Sequence, residues 1–433
     1  MNYKEAVDYL FSIPKFASKT SHENLNGFLE CLGNPQNSIP AIHIAGTNGK
    51  GSTCAFLASI LKQAGYRVGL FTSPHLIRVN ERFRINDSMI EDEDFLRNFL
   101  RVKEVVEDGI QNRNQVHPNF FEFLFLMATC WYQEAGVDYV IYETGLGGRL
   151  DATNVLQPKL TVITSIGMDH MQYLGDTLEK IAGEKAGIMK AGTPCIYIQQ
   201  EDVTAKVLEK RGKELGIPLI PVEKTKITID EIGEQRIDFS YENRYDKEYN
   251  QGACTYQMRK TALYQLENAA LAIEAGYYLL QDRVNAVHEG IANMQWNGRM
   301  EEIQSGFFVD GAHNEPAIRA FCETITGIYQ DKKIVLLFAV ASDKRYNEMI
   351  RLLCTGITYE NIIVTAIEGD RATPVEQVAK EFREYIDCPI QVEPDLNHAL
   401  VLAKTYISSD TRVFCVGSLY LVGSVEASKE ETP

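Results

Sequence analysis

Short apolar runs rich in β-branched residues alternate with amphipathic stretches of helical period through much of the chain. The alternation predicts strands at 41–45, 66–71, 137–143 and 160–166, with helices between them. That rhythm argues for a parallel sheet covered by helices. Around 226–258 the segments become shorter, more polar and Tyr-rich, which reads as an antiparallel appendage, and a helix-like run follows at 266–280. After Trp296-Asn297-Gly298-Arg299 the strand–helix rhythm restarts. Strands are expected at 307–309, 334–340, 362–366, 390–393 and 413–416, and helices at 315–329, 346–354 and 375–385. A second α/β domain of roughly 130 residues fits this stretch. The turn-like Asn297-Gly298 pair marks the expected boundary, giving domains at 1–296 and 297–433.

The 433 residues are about three times the usual ~150-residue domain, consistent with two or three units. Hydrophobic residues at 45% and charged residues at 24% exclude disordered, collagen-like and coiled-coil classes. A formal charge of −16 repels polyanions, so nucleic acid is not expected as a partner. A local cluster of cations could still hold a small phosphate. The nine cysteines are widely spaced, without C-x-x-C, and read as reduced residues of a cytoplasmic protein. The opening MNYKEAVDYLF lacks the pattern of a signal peptide. The longest apolar stretch, 123–132, is too short to span a bilayer, so neither export nor a membrane partner is expected.

Candidate chemistry clusters at predicted strand ends. Residues 43–53, HIAGTNGKGST, follow a strand and open a helical pattern. In that setting Gly-rich backbone N–H groups and a helix N-terminus hold phosphates, with Lys50 reaching the β/γ-phosphates. The spacing departs from G-x-x-x-x-G-K-[ST], so a plain strand–turn–helix connection is also compatible. Thr72-Ser73-Pro74 after the second strand is either a turn or a hydroxyl ligand for Mg²⁺ or phosphate. Glu143 ends an apolar strand, where a hard carboxylate suits Mg²⁺, or else it is a capping or salt-bridged residue. Asp169-His170 follows another strand and is either a ligand pair or structural. Lys185 on local pattern is a solvated helix residue. Residues 309–314, VDGAHN, place polar groups at a strand end of the second domain. Two such domains with strand ends facing a cleft would make a bisubstrate site.

In order and spacing these segments resemble the folylpolyglutamate synthase/dihydrofolate synthase family of Mur ligases. The resemblance is carried by GTNGKGS (46–52), TSPHL (72–76), FFEF (120–123), ETGLGGRLDATN (143–154), DH…LG (169–175), EKAGI (184–188), QLENA (265–269), GRME (298–301), DGAHN (310–314), SDK (342–344) and GSLYLVG (417–423). It implies an α/β fold: a P-loop ATPase-like N-terminal domain with a parallel sheet, plus a smaller Rossmann-like C-terminal domain. It also implies that Gly46, Thr47, Asn48, Gly49, Lys50, Gly51 and Ser52 hold ATP phosphates. Ser73 and Glu143 would bind one Mg²⁺ and His170 a second. Lys185 would be carbamylated, and Asn268, Arg299, Asp310 and His313 would contact nucleotide. Phe121 and Asp151 would line a pterin pocket. Two positions depart from the family pattern: Asn297 stands where W-P-G-R is common, and Glu315 separates DGAHN from Pro316.

The activity implied is addition of L-glutamate to a folate, and to dihydropteroate, through an acyl phosphate made from ATP, with Lys50, Lys185 and His170 serving the reaction. The expected partners are these small molecules, in a monomer. A Mur ligase acting on a UDP-linked precursor is the sister reading. Such enzymes usually carry a further N-terminal domain, for which the 45 residues before Gly46 leave no room. A non-catalytic nucleotide-binding protein is the reading from another class, and the joint presence of Ser73, Glu143, His170 and Lys185 speaks against it.

Overall fold

In a computed structural model of the chain, residues 1–14, 21–200, 203–244, 254–259, 262–281, 283–342, 344–367 and 372–430 are described. They divide into two compact units. The first comprises Met1–Ile227, Tyr241–Cys254 and Glu267–Met294, and the second Thr228–Ser240, Thr255–Leu266 and Gln295–Pro433.

The first unit is built on eight strands: β1 (Ala41–Ala45), β2 (Val68–Phe71), β3 (Phe83–Ile85), β4 (Ser88–Met89), β5 (Tyr139–Glu143), β6 (Leu160–Ile163), β7 (Cys195–Ile198) and β8 (Leu219–Val222). Their order is β4-β3-β2-β5-β1-β6-β7-β8. The ladder from β2 through β8 is parallel, and β3 and β4 add an antiparallel edge. All residues of β1, β2, β6 and β7 are buried, as expected of strands covered on both faces. Four of these strands match the predicted runs, and β3, β4, β7 and β8 were not anticipated. The predicted 160–166 strand stops at Ile163, because residues 164–167 turn to meet the loop after β1.

One face of this sheet is closed by an aromatic core around the Phe120–Ala135 helix, where Phe123, Phe125 and Tyr132 are fully buried. Each such ring contributes ~1.5–3 kcal/mol over its exposed state. The helix is set by a capping box in which Asn119 and Glu122 bond each other's backbone N–H, and it ends at Gly136 in the left-handed region.

Three strands, β9 (Ile227–Ile232), β10 (Ile237–Tyr241) and β11 (Cys254–Met258), form a separate sheet that lies almost wholly in the second unit. The main sheet of that unit contains β12 (Glu301–Gln304), β13 (Phe307–Val309), β14 (Lys333–Phe338), β15 (Tyr359–Val364), β16 (Ile390–Val392) and β17 (Thr411–Val416). Their order is β12-β13-β17-β14-β15-β16, parallel except for the edge strand β12. The expected mixed α/β architecture, a largely parallel sheet followed by a smaller α/β body, is the one observed.

Candidate active site

The first unit gathers its chemistry at the carboxyl ends of β1, β2, β5 and β6, where open parallel sheets bind ligands. β1 runs into Gly46–Gly49 and then into the Lys50–Gln63 helix. Gly49, at φ 82°, is the N-cap and, having no side chain, makes no side-chain cap bond of its own. A Cβ at Gly49 would lie 2.2 Å from Asn268 Oδ1, and one at Gly46 would lie 1.7 Å from Thr164 Oγ1. Only glycine can pass there, so the loop is pressed between Asn268 and the end of β6. The segment after β6 pins it: Thr47 N–H donates to the Ser165 carbonyl at 2.7 Å, and Thr164 Oγ1 donates to the Asn48 carbonyl at 2.6 Å. A helix N-terminus with Gly-rich approach and a lysine at its first residue is an anion site in waiting.

Lys50 is brought to the predicted carboxylate. Its Nζ lies 4.0 Å from Glu143 Oε1 and donates to the Thr47 carbonyl at 3.1 Å. Glu143, the last residue of β5, is buried, and its Oε2 accepts the Ser73 N–H at 2.9 Å. Ser73, Glu143 and Lys50 therefore form one cluster. A buried carboxylate beside a seryl group offers hard oxygen donors, the type that would suit a Mg²⁺ ion.

Lys185 is not on the surface as its local pattern suggests. It is 3% exposed, on the Leu178–Ala186 helix, and its Nζ donates to the Gly46 carbonyl at 2.6 Å. Burial first, and then the nearby Lys50 charge, push its pKa from 10.5 down to about 7, against a smaller opposing pull from Asp169 and Asp151. The cause is a backbone crossing far away in sequence. A Cβ at Gly148 would meet the Glu184 carbonyl at 2.7 Å, and one at Gly187 would meet Arg149 Cα at 2.5 Å. Arg149 adds an N–H bond to the Glu184 carbonyl and a side-chain pair with its carboxylate.

His170 follows the segment that bonds the phosphate loop through Gly167 and Thr47. It precedes the short Met171–Leu174 helix at φ 49°, is exposed, and lies 3.9 Å from the Asp169 carboxylate. Among the described residues no three His, Cys, Asp or Glu side chains converge on a point that could hold a metal.

Phe121 packs on Phe71 with ring centroids 5.5 Å apart and covers Gly145, where a Cβ would lie 2.9 Å from its ring. Asp151 is buried; its carboxylate accepts the Leu146 and Thr153 N–H groups and the Thr153 hydroxyl. Burial raises its pKa and these bonds oppose the rise. Thr153, its one hydroxyl proton directed at Asp151, accepts from His43 Nε2 at 2.7 Å. That bond assigns the Nε2–H tautomer to a histidine in the middle of β1, and burial, aided by the Lys190 charge, holds His43 neutral with a pKa of about 3. The signal for this ladder was a lone His inside an apolar strand, to which the sequence reading gave no role.

The second unit carries the remaining predicted residues within one turn-rich patch. Asp310 follows β13, is buried, and accepts Met300 N–H at 2.9 Å and Ala312 N–H at 2.8 Å, together with the Tyr264 hydroxyl. The Arg299 guanidinium donates to the Gly298 carbonyl at 2.9 Å and occupies the space a Cβ at Gly311 would need. His313 bonds the Gly311 carbonyl through Nδ1 at 2.7 Å. The inserted Glu315 is the first residue of the Glu315–Ile328 helix, capped by Asn314, and Pro316 remains in the first turn, where its missing N–H costs nothing. Asp343 of the SDK motif lies outside the described residues.

Comparison with known proteins gives concordant results. Residues 44–276 match the Mur ligase middle domain, and residues 298–419 match the Mur ligase glutamate ligase domain. A dihydrofolate synthase/folylpolyglutamate synthase of Bacillus subtilis is 36% identical over 367 residues, covering 82% of this chain and 83% of that protein. The structure of Mycobacterium tuberculosis folylpolyglutamate synthase complexed with ADP superposes with a TM-score of 0.88 at 25% identity, covering 100% of this chain and 99% of that one. Escherichia coli FolC in complex with DHPP and ADP gives a TM-score of 0.86 at 25% identity, over 99% and 98% of the two chains.

Proposed function

The chain belongs to the folylpolyglutamate synthase/dihydrofolate synthase family of Mur ligases, and from that premise we propose that it joins L-glutamate to a folate and to dihydropteroate at the expense of ATP. The observation that carries the reading is the convergence of Lys50, Glu143 and Ser73 beside a helix N-terminus whose N-cap is the glycine of the loop.

An amide does not form from a carboxylate and an amine without activation. In the proposed sequence the acceptor carboxylate attacks the γ-phosphorus of ATP and ADP leaves. The amine of L-glutamate then attacks the acyl phosphate, loses a proton, and phosphate departs from the tetrahedral intermediate. Mg²⁺ held by Glu143 and Ser73 would supply charge neutralisation at the transferring phosphoryl group. Backbone N–H groups of residues 46–52 would hold the phosphates, and Lys50 would follow the charge as it develops. Asn268, Arg299, Asp310 and His313 are assigned to the nucleotide, Phe121 and Asp151 to the pterin. His170 is assigned to a second Mg²⁺.

Lys185 fits a carbamate. With a pKa of about 7, much of its amine is neutral near physiological pH, the form that adds to CO₂ with loss of one proton. The product is an anion with oxygen ligands where an ammonium would face Lys50 and metal charge. ¹³C-labelled bicarbonate should give a carbamate resonance that is absent in Lys185→Ala. The nine widely spaced cysteines, without C-x-x-C, support a reducing, cytoplasmic setting, and no described helix is long and apolar enough to cross a membrane.

The deciding assay is phosphate release from MgATP with dihydropteroate or tetrahydrofolate, each with and without L-glutamate. Release that depends on L-glutamate with both acceptors is expected. Release with neither acceptor would overturn the reading, and release with one would restrict it to that activity.

A further inference from the structure

Tyr264 belongs to none of the strand-end motifs, yet its hydroxyl is committed to the buried Asp310 carboxylate. We infer that Tyr264 is a positioning residue which, through Asp310, holds the turn that presents Arg299 to the nucleotide; this rests on the placement of Arg299 at ATP.

The argument begins with the backbone. Arg299 lies between Gly298 at φ 67° and Met300 at φ 44°. A left-handed conformation at a buried methionine is unfavourable and persists only where its surroundings over-determine it. Met300 N–H bonds Asp310 Oδ2, Gly298 N–H bonds the Glu301 carboxylate at 2.7 Å, and Gly311 N–H bonds the Gly298 carbonyl at 2.9 Å. Asp310 is thus the side chain that secures the strained residue. Its second oxygen is taken by Ala312 N–H, so the carboxylate is fixed between the 298–300 turn and the 310–312 loop.

What fixes the carboxylate is Tyr264. Burial disfavours the Asp310 anion, two backbone N–H groups and the nearby Arg299 charge offset this only in part, and the phenol adds a charge-assisted bond to the same oxygen that receives Met300. Burial, and then the Asp310 charge, push the phenol far above its usual range, so it remains a donor at every working pH. Without the hydroxyl, Oδ2 is free to turn from Met300, the left-handed turn relaxes, and the guanidinium loses its seat against Gly311. The consequence falls on nucleotide affinity more than on turnover.

The test is a double-mutant cycle on ATP affinity, read as Kd for a fluorescent ATP analogue and as KM against kcat, with thermal unfolding in parallel. Tyr264→Phe is expected to weaken nucleotide binding about five- to tenfold and to change kcat by less than about twofold. Arg299→Ala is expected to weaken binding at least as much, and the double variant should be no weaker than Arg299→Ala alone. A purely structural tyrosine would instead lower stability and add its effect to that of Arg299→Ala. Unchanged affinity in Tyr264→Phe, or additive losses, overturns the inference while leaving Arg299 at the nucleotide. Unchanged affinity in Arg299→Ala overturns the placement of Arg299 and the inference together. Should Tyr264→Phe fail to fold, the exchange is repeated in Met300→Gly, where glycine holds the left-handed turn unaided; the pair should bind nucleotide no more weakly than Met300→Gly alone, and a further loss overturns the inference.

Discussion

Lys185 Nζ donates to the main-chain carbonyl of Gly46 at 2.6 Å, so a buried amine from one helix is tied to the first residue of the phosphate loop. A carbonyl partner stabilises a donor without supplying a countercharge, and the neighbouring Lys50 adds repulsion. Burial first, and then the Lys50 charge, hold the amine at a pKa of about 7 rather than 10.5.

The pH dependence that follows has a definite sign. Below about pH 7 the amine is protonated in both folded and unfolded chains, and the folded state bears the full burial penalty. Between about 7 and 10.5 the unfolded chain holds the proton and the folded one does not, so this group makes stability rise with pH. In CO₂-free buffer, the unfolding free energy of Lys185→Met minus that of wild type should be more positive at pH 6.5 than at pH 9.5. Denaturant titrations showing the same difference at both pH values would refute the shifted amine.

Lys50→Ala should leave the fold intact, because Lys50 is only partly buried and its interactions lie at the site. Ligation should fall on the order of 10²–10³-fold, since a contact to the β/γ-phosphates strengthens as charge develops in the transition state. The check is kcat for glutamate-dependent phosphate release alongside a circular dichroism melt. An unchanged kcat removes Lys50 from the reaction.

Glu143→Gln preserves shape and the acceptor for Ser73 N–H but loses the charge a hard cation requires. The Mg²⁺ concentration for half-maximal rate should rise tenfold or more, to order of magnitude. It should do so with little change in melting temperature, because neutralising the buried carboxylate relieves its desolvation and so offsets the loss of one long ion pair, to Lys50 at 4.0 Å. A metal dependence identical to wild type would return Glu143 to a structural role.

Much of this site was readable because its signals are local. A strand running into Gly-rich residues and a lysine, or a carboxylate closing an apolar strand, is short-range pattern, and Lys50, Glu143 and the loop fall where that pattern puts them. Lys185 was not readable from its surroundings, because its burial comes from Gly148 and Gly187 crossing with 36 residues of chain between Gly148 and Lys185. The same holds for Tyr264, whose partner is 46 positions away. Thr164 was hidden for a further reason: the apolar run 160–166 reads as a longer strand, whereas bonds from 164–167 to the phosphate loop end it at Ile163.

Gly49→Ala tests the loop geometry without touching any charged group. The added methyl meets two independent obstacles: φ is 82°, where an L side chain costs about 1–3 kcal/mol, and the Cβ would lie 2.2 Å from Asn268 Oδ1. The Asn268 amide is the end of a short side chain, so it can rotate away only by abandoning the position from which it touches the loop. ATP affinity should therefore fall more than stability does. Calorimetric titration with an ATP analogue is expected to show at least a tenfold loss, the clash adding to the ~1–3 kcal/mol of backbone strain. Asn268→Ala in the same background removes the obstacle but not the backbone strain, so it should restore stability in part and leave nucleotide binding weak. Full recovery of ATP affinity in that double variant would show that Asn268 shapes the loop without serving the nucleotide. Wild-type affinity in Gly49→Ala alone would mean that the left-handed turn is not required for phosphate binding.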